Sequence, residues 1–281
     1  MKKLLLFVCA IATSSMTFAQ LKTPAPSPSQ KIEQTVGLTD VTVEYSRPSM
    51  KGRTIFGGLV PYDQMWRTGA NANTKVTFST DVMVGGKSVK AGSYAIYTKP
   101  GKQNWEVMLY TDTNNWGTPQ NWDDSKVAAT VTSPVYPMPM NIETFTISFD
   151  DVTNDSANLG IMWEKAYVAV PMQFPTDKIV SASIDQVMNG PAANDYYQAA
   201  VYYLESGKDI NKAKTWIDKA IDMRAEPAFW YHRQQSLIYA KSGDKKGAIN
   251  AAKRSLELAK DAGNDDYVAL NTKSLKEWGA M

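Results

Sequence analysis

The first half of the chain is organised around YSRPSMKGRTIFGGLVPYDQMWRTGAN, residues 45–71. This stretch combines three Arg, one Lys and two Pro with several Gly and a Trp. Gly and Pro set backbone angles that regular core strands do not use. Arg side chains offer rigid forks of donors that suit a carboxylate or a phosphate. The segment therefore predicts a turn-rich polar site rather than a core strand.

Short β-type runs surround this segment, from Val41 to about Val170. Each run alternates apolar and polar residues or is rich in β-branched and aromatic ones. Hairpin-type turns, VGGK (84–87) and KPGK (99–102), punctuate them. A parallel sheet would need helical crossovers, and no segment between 41 and 170 has a helical apolar period long enough to provide one. The predicted strands are VTVEYS (41–46), KVTFST (75–80), SYAIYT (93–98), WEVMLYT (105–111), VAATVT (127–132), ETFTISF (143–149) and LGIMWEKAYVAV (159–170).

The period becomes helical beyond Pro175, so residues 173–191 predict a linker helix that Asn189-Gly190-Pro191 ends. Residues 192–281 then contain a repeat. Ala213 and Ala220 are spaced like Ala248 and Ser255, and the two pairs are offset by 35 residues, close to the 34 of a tetratricopeptide repeat. The predicted fold class is α+β and multidomain. An antiparallel β-sandwich over residues 31–172, with a closed barrel as the alternative, precedes an all-α helical-hairpin (tetratricopeptide-like) tail.

The N-terminus has the pattern of a secretory signal peptide, residues 1–19. Lys2 and Lys3 precede an apolar run that is too short to span a membrane, and small residues place the cleavage near Ala19. Residues 20–30 form a Pro/Ser-rich tether. We therefore expect a protein exported to the periplasm with no integral membrane segment. The single Cys, Cys9, leaves with the signal.

The composition excludes several classes of function. Without Cys, the mature chain has no thiol nucleophile, no disulfide and no Cys-containing metal site. Its 30 basic and 28 acidic residues balance once Lys2 and Lys3 are removed, which leaves no electrostatic case for a nucleic-acid partner. No phosphate loop, dinucleotide fingerprint or nucleophile elbow occurs, so we predict no cofactor and name no catalytic residue.

Other candidate residues have simpler explanations. His232, the only His, lies in a predicted repeat helix and is expected to be structural. Asp112 begins a run like a calcium loop, but Trp116 replaces the oxygen ligand at the fifth position, so we predict no metal site. Trp116 and Trp122 flank a polar loop and could stack on a sugar or a peptide. The alternative, which we favour, is that both rings fold back over the end of the sandwich.

Two interpretations of the arginines stay open. Pro48 keeps Arg47 out of helical conformation, and Gly residues adjoin Arg53 and follow Arg67 closely, so all three lie at turns. They could hold a ligand, or they could connect the segment to nearby carboxylates. The candidate carboxylates for such a connection are Asp40, Glu44 and Asp63.

Several blocks of the chain resemble an exported bacterial family catalogued as domain of unknown function twenty-nine-eleven. They are YSRP (45–48), KGR (51–53), IFGGLVPYD (55–63), WRTGAN (66–71), AGSYAIYTKPG (91–101) and ETFTISF (143–149). The resemblance covers about residues 28–172, and WRTGAN is its most specific motif. It implies a β-rich exported domain with Arg47, Lys51, Arg53, Arg67 and Asn71 as the signature polar set. Ala72 stands where many relatives have Glu, and the family implies no substrate.

Two functional hypotheses follow. The first is a non-enzymatic binding or scaffold protein, with a small anionic or glycan ligand on the β domain and a protein or peptide partner at the helical tail. The candidate ligand-binding residues are Tyr45, Arg47, Lys51, Arg53, Trp66, Arg67 and Asn71. The alternative is an envelope hydrolase or glycan-processing enzyme, in which Arg47, Arg67 and Asn71 clamp an anionic substrate and Tyr45 or Asp63 carries the proton.

Overall fold

A computed structural model of the protein describes residues 23–188 and 190–281. The predicted signal peptide, the first residues of the tether and Asn189 of the predicted helix break lie outside these residues. The strands are β1 (Ser29–Val36), β2 (Thr39–Ser46), β3 (Thr74–Phe78), β4 (Val82–Val84), β5 (Lys87–Val89), β6 (Gly92–Pro100), β7 (Asn104–Tyr110), β8 (Val127–Asp150) and β9 (Ser156–Gln173). The helices are α1 (Thr176–Val187), α2 (Ala193–Glu205), α3 (Ile210–Asp222), α4 (Phe229–Lys241), α5 (Lys245–Asp261) and α6 (Asp265–Glu277).

The described strands form an antiparallel sheet in the order β1-β2-β3-β6-β7-β8-β9-β4-β5. Successive side chains of a strand point to opposite faces of the sheet, so every second residue enters the core. In β2, Val41, Val43 and Tyr45 are buried, and the residues between them are more exposed. An antiparallel β domain followed by helices is therefore confirmed. Two features escaped the sequence analysis. No strand was predicted over β1, which begins two residues before the predicted start of the β domain, and none over β4 and β5, which have only three residues each.

Strand β8 belongs to both layers of the β domain. One layer contains β1, β2, β3, β6, β7 and the first part of β8, and the other contains the second part of β8 with β9, β4 and β5. Its first part pairs with β7 as far as Pro134, and its second part pairs with β9 from Val135 onward. The register shifts twice between Pro137 and Thr146, and such irregularities bend a strand. The runs predicted as two strands, 127–132 and 143–149, are thus one long strand. The main core includes residues from both layers, among them Val43, Val76, Ile96, Ile147, Ile161 and Trp163. A smaller buried cluster of Ala95, Tyr97, Met108 and Tyr110 belongs to β6 and β7.

The segment between β2 and β3 crosses one end of these layers. The Met50 amide donates to the carbonyl oxygen of Glu143 on β8 at 2.8 Å, and the Phe145 amide donates to that of Pro48 at 2.9 Å. Farther along, Trp66 and Thr98 of β6 exchange two backbone hydrogen bonds of 2.8 and 2.9 Å. The Arg- and Gly-rich segment is therefore attached to both layers rather than extending into solvent.

The helices pack against their neighbours in chain order. Ala213, Ala220, Ala248 and Ser255, whose spacing predicted the repeat, are all fully buried. The structure also accounts for the unequal turns of the two units. In the first unit Lys208 separates Gly207 from Asp209, whose carboxylate caps α3; in the second, Gly243 is followed directly by Asp244, whose carboxylate caps α5.

The helical part is joined to the β domain through the start of α1. The Phe174 amide donates to the carbonyl oxygen of Asp155 at 2.7 Å, and Thr176 is buried against Gly37 of the β1–β2 turn. Asp177 then forms an ion pair of 2.6 Å with Lys208. Within the described residues, no helix has the length and apolar character needed to cross a bilayer.

Candidate functional site

The β2–β3 segment builds one wall of a cleft of about 340 Å³, which we call the arginine cleft. It is lined by Arg53, Leu59, Trp66, Arg67, Thr118 and Trp163, among others. Three of the seven predicted site residues, Arg53, Trp66 and Arg67, therefore meet here.

Arg67 is held by an unusual backbone on its C-terminal side. Thr68 has φ of +57° and Gly69 has φ of +144°, and a β-branched residue at positive φ is a genuine outlier. Burial fixes this conformation, since the Thr68 hydroxyl donates to that of Thr98 at 3.1 Å and the Thr74 hydroxyl donates to the Thr68 carbonyl oxygen. Holding such a backbone costs about 1–3 kcal/mol, and strain of this kind clusters at functional sites.

The Arg67 guanidinium lines the cleft without a protein acceptor. It has no hydrogen bond and no carboxylate partner among residues 23–188 and 190–281. The guanidinium is partly exposed, so it is a candidate donor to a ligand. Arg53 is partly engaged, because Nε donates to the carbonyl oxygen of Met50 at 2.8 Å and Nη2 donates to that of Ser49 at 2.7 Å. These bonds orient Arg53, which lines the cleft as its second cation, and they leave Nη1 without an acceptor among the described residues.

The floor of the cleft is aromatic. Trp66 and Trp163 stack with their ring centroids 5.9 Å apart and their planes 19° from parallel. Phe145 and Trp105 meet the Trp66 ring edge-on at 5.3 and 6.1 Å. The indole N–H of Trp66 donates to the carbonyl oxygen of Gly69 at 3.2 Å. Trp66 is thus packed against the core and supports the segment, and its partly exposed side chain lines the cleft.

Arg47 and Asn71 serve the fold instead. Arg47 Nε donates to the carbonyl oxygen of Phe145 at 3.0 Å, and Nη2 donates to the hydroxyl of Thr146 at 2.7 Å. Asn71, at φ of +59°, donates its amide to the Ser27 carbonyl oxygen and the Ser46 hydroxyl, both at 3.2 Å. Arg47 and Arg53 thus connect the segment through carbonyl and hydroxyl oxygens, and not through the carboxylates named in one of the two interpretations.

Tyr45 and Lys51 also lie apart from the cleft. The Tyr45 hydroxyl is buried, donates to Gln30 Oε1 at 2.7 Å and accepts from the Ile147 amide at 3.0 Å. Burial raises the pKa of this phenol. Lys51 has φ of +50°, and its backbone amide donates to the Glu143 carboxylate at 2.9 Å, while its side chain is exposed.

The candidate proton carriers do not converge on the arginines. Asp63 lines a separate cleft with Lys99 and Glu106, and the hydroxyl of Tyr45 is engaged by Gln30 and Ile147. Asp40, which the sequence analysis named as a possible carboxylate partner of the arginines, accepts a hydrogen bond from Thr35 at 2.7 Å at the far end of β2. Among the described residues that line the arginine cleft there is no carboxylate, His or Tyr. In the same part of the chain, no group of three or more His, Asp or Glu side chains is arranged to hold a metal ion.

A comparison with protein-family models matches residues 27–172, just over half of the chain, to the family described as "Protein of unknown function (DUF2911)". The chain belongs to this family. The resemblance inferred from the WRTGAN block and its neighbours is thereby confirmed, and the DUF2911 region coincides with the β domain. Neither the curated proteins nor the solved structures include a match to the chain.

One side chain of the DUF2911 domain departs from its expected position. Trp122 folds back and stacks on Tyr110, with centroids 4.5 Å apart. Trp116 does not, since 77% of its surface is exposed. The expectation that both rings cover the end of the sandwich was therefore wrong for Trp116. The sequence does not predict which of the two rings is exposed, because Trp116 and Trp122 lie in the same polar loop.

Proposed function

We propose that this protein is an exported binding module whose arginine cleft holds an anionic ligand and whose helical tail docks a protein partner. Arg67 carries the proposal, because it is a partly exposed guanidinium with no acceptor among the described residues. A surface arginine on an ordinary solvated face would not need a strained Thr68 behind it. Here the strained and buried backbone fixes the direction in which the guanidinium is presented.

Two cations beside an apolar floor suit an anion with an apolar part. Arg67 can offer two parallel N–H donors to a carboxylate, and such charge-assisted pairs are about twice as strong as neutral hydrogen bonds. Arg53 adds a second positive charge at the same cleft. Leu59 and the partly exposed Trp66 supply apolar surface at the same cleft. The hydrolase alternative would need an acid and a base next to the arginines, and no observation favours it.

The proposal for the tail rests on the repeated geometry of its helices. Two helix pairs carry fully buried small residues at equivalent positions, and each has a Gly at the first turn and an Asp cap for the second helix. These features support a tetratricopeptide-like array. Stacked arrays of that kind present a concave surface for peptides or proteins. Export to the periplasm rests on the N-terminal pattern of residues 1–19.

The test compares Arg67→Gln with Arg47→Gln in the full mature chain. Oligogalacturonate, polyglutamate and inorganic phosphate are titrated separately by calorimetry. Losing one charge-assisted contact of about 1.5–3 kcal/mol should weaken the bound probe by about one to two decades in Arg67→Gln. Arg47→Gln should keep its affinity while melting at a lower temperature. The proposal fails if no probe binds the wild type, or if Arg67→Gln binds as tightly as the wild type.

A further inference from the structure

Trp116 lies on a loop whose backbone is fixed. The carbonyl oxygen of Asn115, on one side, accepts from the backbone N–H of Asn73 at 3.2 Å. The carbonyl oxygen of Gly117, on the other side, accepts from the Tyr97 hydroxyl at 3.1 Å. Asn73 and Tyr97 are both buried. The exposed indole is therefore presented on an anchored backbone, although burying so large a ring would be favourable.

The same loop reaches the arginine cleft. Arg67 Nη1 lies 3.2 Å from the position that a β-carbon on Gly117 would occupy, and Gly117 has φ of +102°. Thr118, the next residue, lines the cleft beside Arg67. The exposed indole is thus one residue along the chain from the point where the unpaired guanidinium packs.

We propose that the ligand of this site is an acidic carbohydrate, with a sugar ring packed on Trp116 and its carboxylate bound by Arg67. This inference rests on the proposed function of the arginine cleft. One face of a pyranose ring consists of C–H groups, which pack on an indole as other apolar surfaces do. The ring's hydroxyl groups then need partners that both donate and accept. The loop offers exposed amides and hydroxyls of that kind in Asn114, Thr118, Gln120 and Asn121.

The charges around the site favour a carboxylate over a polyphosphate. Two cations are among the described residues that line the cleft. The guanidinium of Arg67 has no hydrogen bond within the described protein, whereas Arg53 already donates from two of its nitrogens. Asp112, Asp123 and Asp124 lie in the loop that carries Trp116. One free guanidinium matches one carboxylate, whereas a di- or triphosphate would require several cations and would be repelled by these aspartates.

The experiment uses the full mature chain with Trp116→Ala and the control Tyr136→Ala. Tyr136 is also an exposed aromatic residue, 51% accessible, but it lies on β8 away from the cleft. The probes are oligogalacturonate, its neutral galactose counterpart, polyglutamate and inorganic phosphate. We expect oligogalacturonate to bind best, and Trp116→Ala to lose about tenfold in affinity, which is about 1.4 kcal/mol. Trp116→Phe should recover part of that loss, and Tyr136→Ala should bind as the wild type.

The outcomes separate this inference from the proposal on which it rests. If polyglutamate or phosphate binds best, with a loss in Arg67→Gln but none in Trp116→Ala, the acidic carbohydrate is wrong and the anion cleft stands. If the neutral galactose oligomer binds as well as oligogalacturonate, the role of Arg67 is wrong as well. If no probe binds, or if binding is insensitive to Arg67→Gln, both proposals fail together. Because Trp116 is exposed, its replacement leaves folding intact, and unchanged thermal melting checks this.

Discussion

Arg47 and Phe145 connect the two layers of the β domain through a hydrogen bond of 3.0 Å from Nε to the carbonyl oxygen. Arg67, only twenty positions later in the same segment, has no such partner among the described residues. The two arginines look alike in sequence, since both lie at turns beside Gly or Pro. Because their surroundings differ, replacing Arg47 should lower the stability of the fold, and replacing Arg67 should lower the affinity for an anion.

Arg47→Gln should destabilise the β domain by about 1–3 kcal/mol, because it removes charged hydrogen bonds to Phe145 and Thr146 and leaves their oxygens without those donors. Arg67→Gln should change the free energy of unfolding by less than about 0.5 kcal/mol, as surface substitutions usually do. Urea unfolding of both variants measures the difference. Equal destabilisation by the two replacements would show that Arg67 also serves the fold.

Gly117→Ala should weaken anion binding as well as stability. The added methyl group would approach Arg67 Nη1 and displace the guanidinium, and φ of +102° disfavours any side chain. Gly86→Ala is the matched control, since Gly86 has φ of +76° with no atom within 4 Å of the added carbon. Both variants should lose about 1 kcal/mol or more of stability through the backbone. Only Gly117→Ala should lose affinity, and unchanged affinity there would argue against the Arg67–Gly117 contact.

Alkaline pH should destabilise the protein partly through Tyr167. Burial, together with a hydrogen bond to Asp150, raises the pKa of this phenol to about 12, and its ordinary value is about 10. The unfolded chain therefore releases the proton first, so the stabilising contribution is complete below about pH 10 and is lost as the pH rises to about 12. Tyr167→Phe should show a shallower decline in urea stability over this range. Tyr197 and Tyr239, whose pKa values burial also raises to about 12, should sustain the remaining decline.

An identical pH dependence in Tyr167→Phe and the wild type would contradict this assignment. The wild-type measurement at about pH 8, below the titration of any tyrosine, provides the reference for each variant. A loss of stability already present at that pH reports the missing hydrogen bond to Asp150 rather than the ionisation.

Limited proteolysis should cut between α1 and α2 and release a stable β domain that retains α1. The first turn of α1 is buried, because Thr176 packs on Gly37 and the Phe174 amide is bonded to Asp155. We therefore expect the fragment to end between about 188 and 192 rather than before Thr176. In Gly37→Ala, where a β-carbon would lie 2.0 Å from the Thr176 hydroxyl, cleavage should move toward 173–176. Joint loss of structure in both halves would contradict the division into two domains.

Sequence predicted much of the fold because alternation and turn residues are local signals. The β2, β6 and β7 runs were placed within a few residues of their observed limits. β4 and β5 were missed because three residues are too few to show a period. The whole of β1 was missed, and one reason is that it starts within a Pro- and Ser-rich stretch. The sequence analysis divided β8 into two strands because Pro usually ends a strand. Here Pro134, Pro137 and Pro139 lie within the strand, where they mark bends.

The candidate site was predicted less completely, for a physical reason. The sequence shows that an arginine lies at a turn, but whether it has an acceptor in the protein depends on distant strands. Arg47 is satisfied by Phe145 and Thr146, nearly a hundred residues away, and nothing local distinguishes it from Arg67. The exposure of Trp116 likewise depends on Asn73 and Tyr97, which anchor its loop from other elements.

The most direct measurement is a titration of the full mature chain followed by the side-chain Nε–H signals of its arginines in NMR spectra. Oligogalacturonate, polyglutamate and inorganic phosphate are added in turn, with signals assigned by Arg67→Gln and Arg47→Gln. We predict that at least one probe shifts the Arg67 signal in a saturable manner and leaves the Arg47 signal in place. An Arg67 signal that stays fixed while all three probes are added to saturating concentration would contradict the proposal that this guanidinium binds an anion.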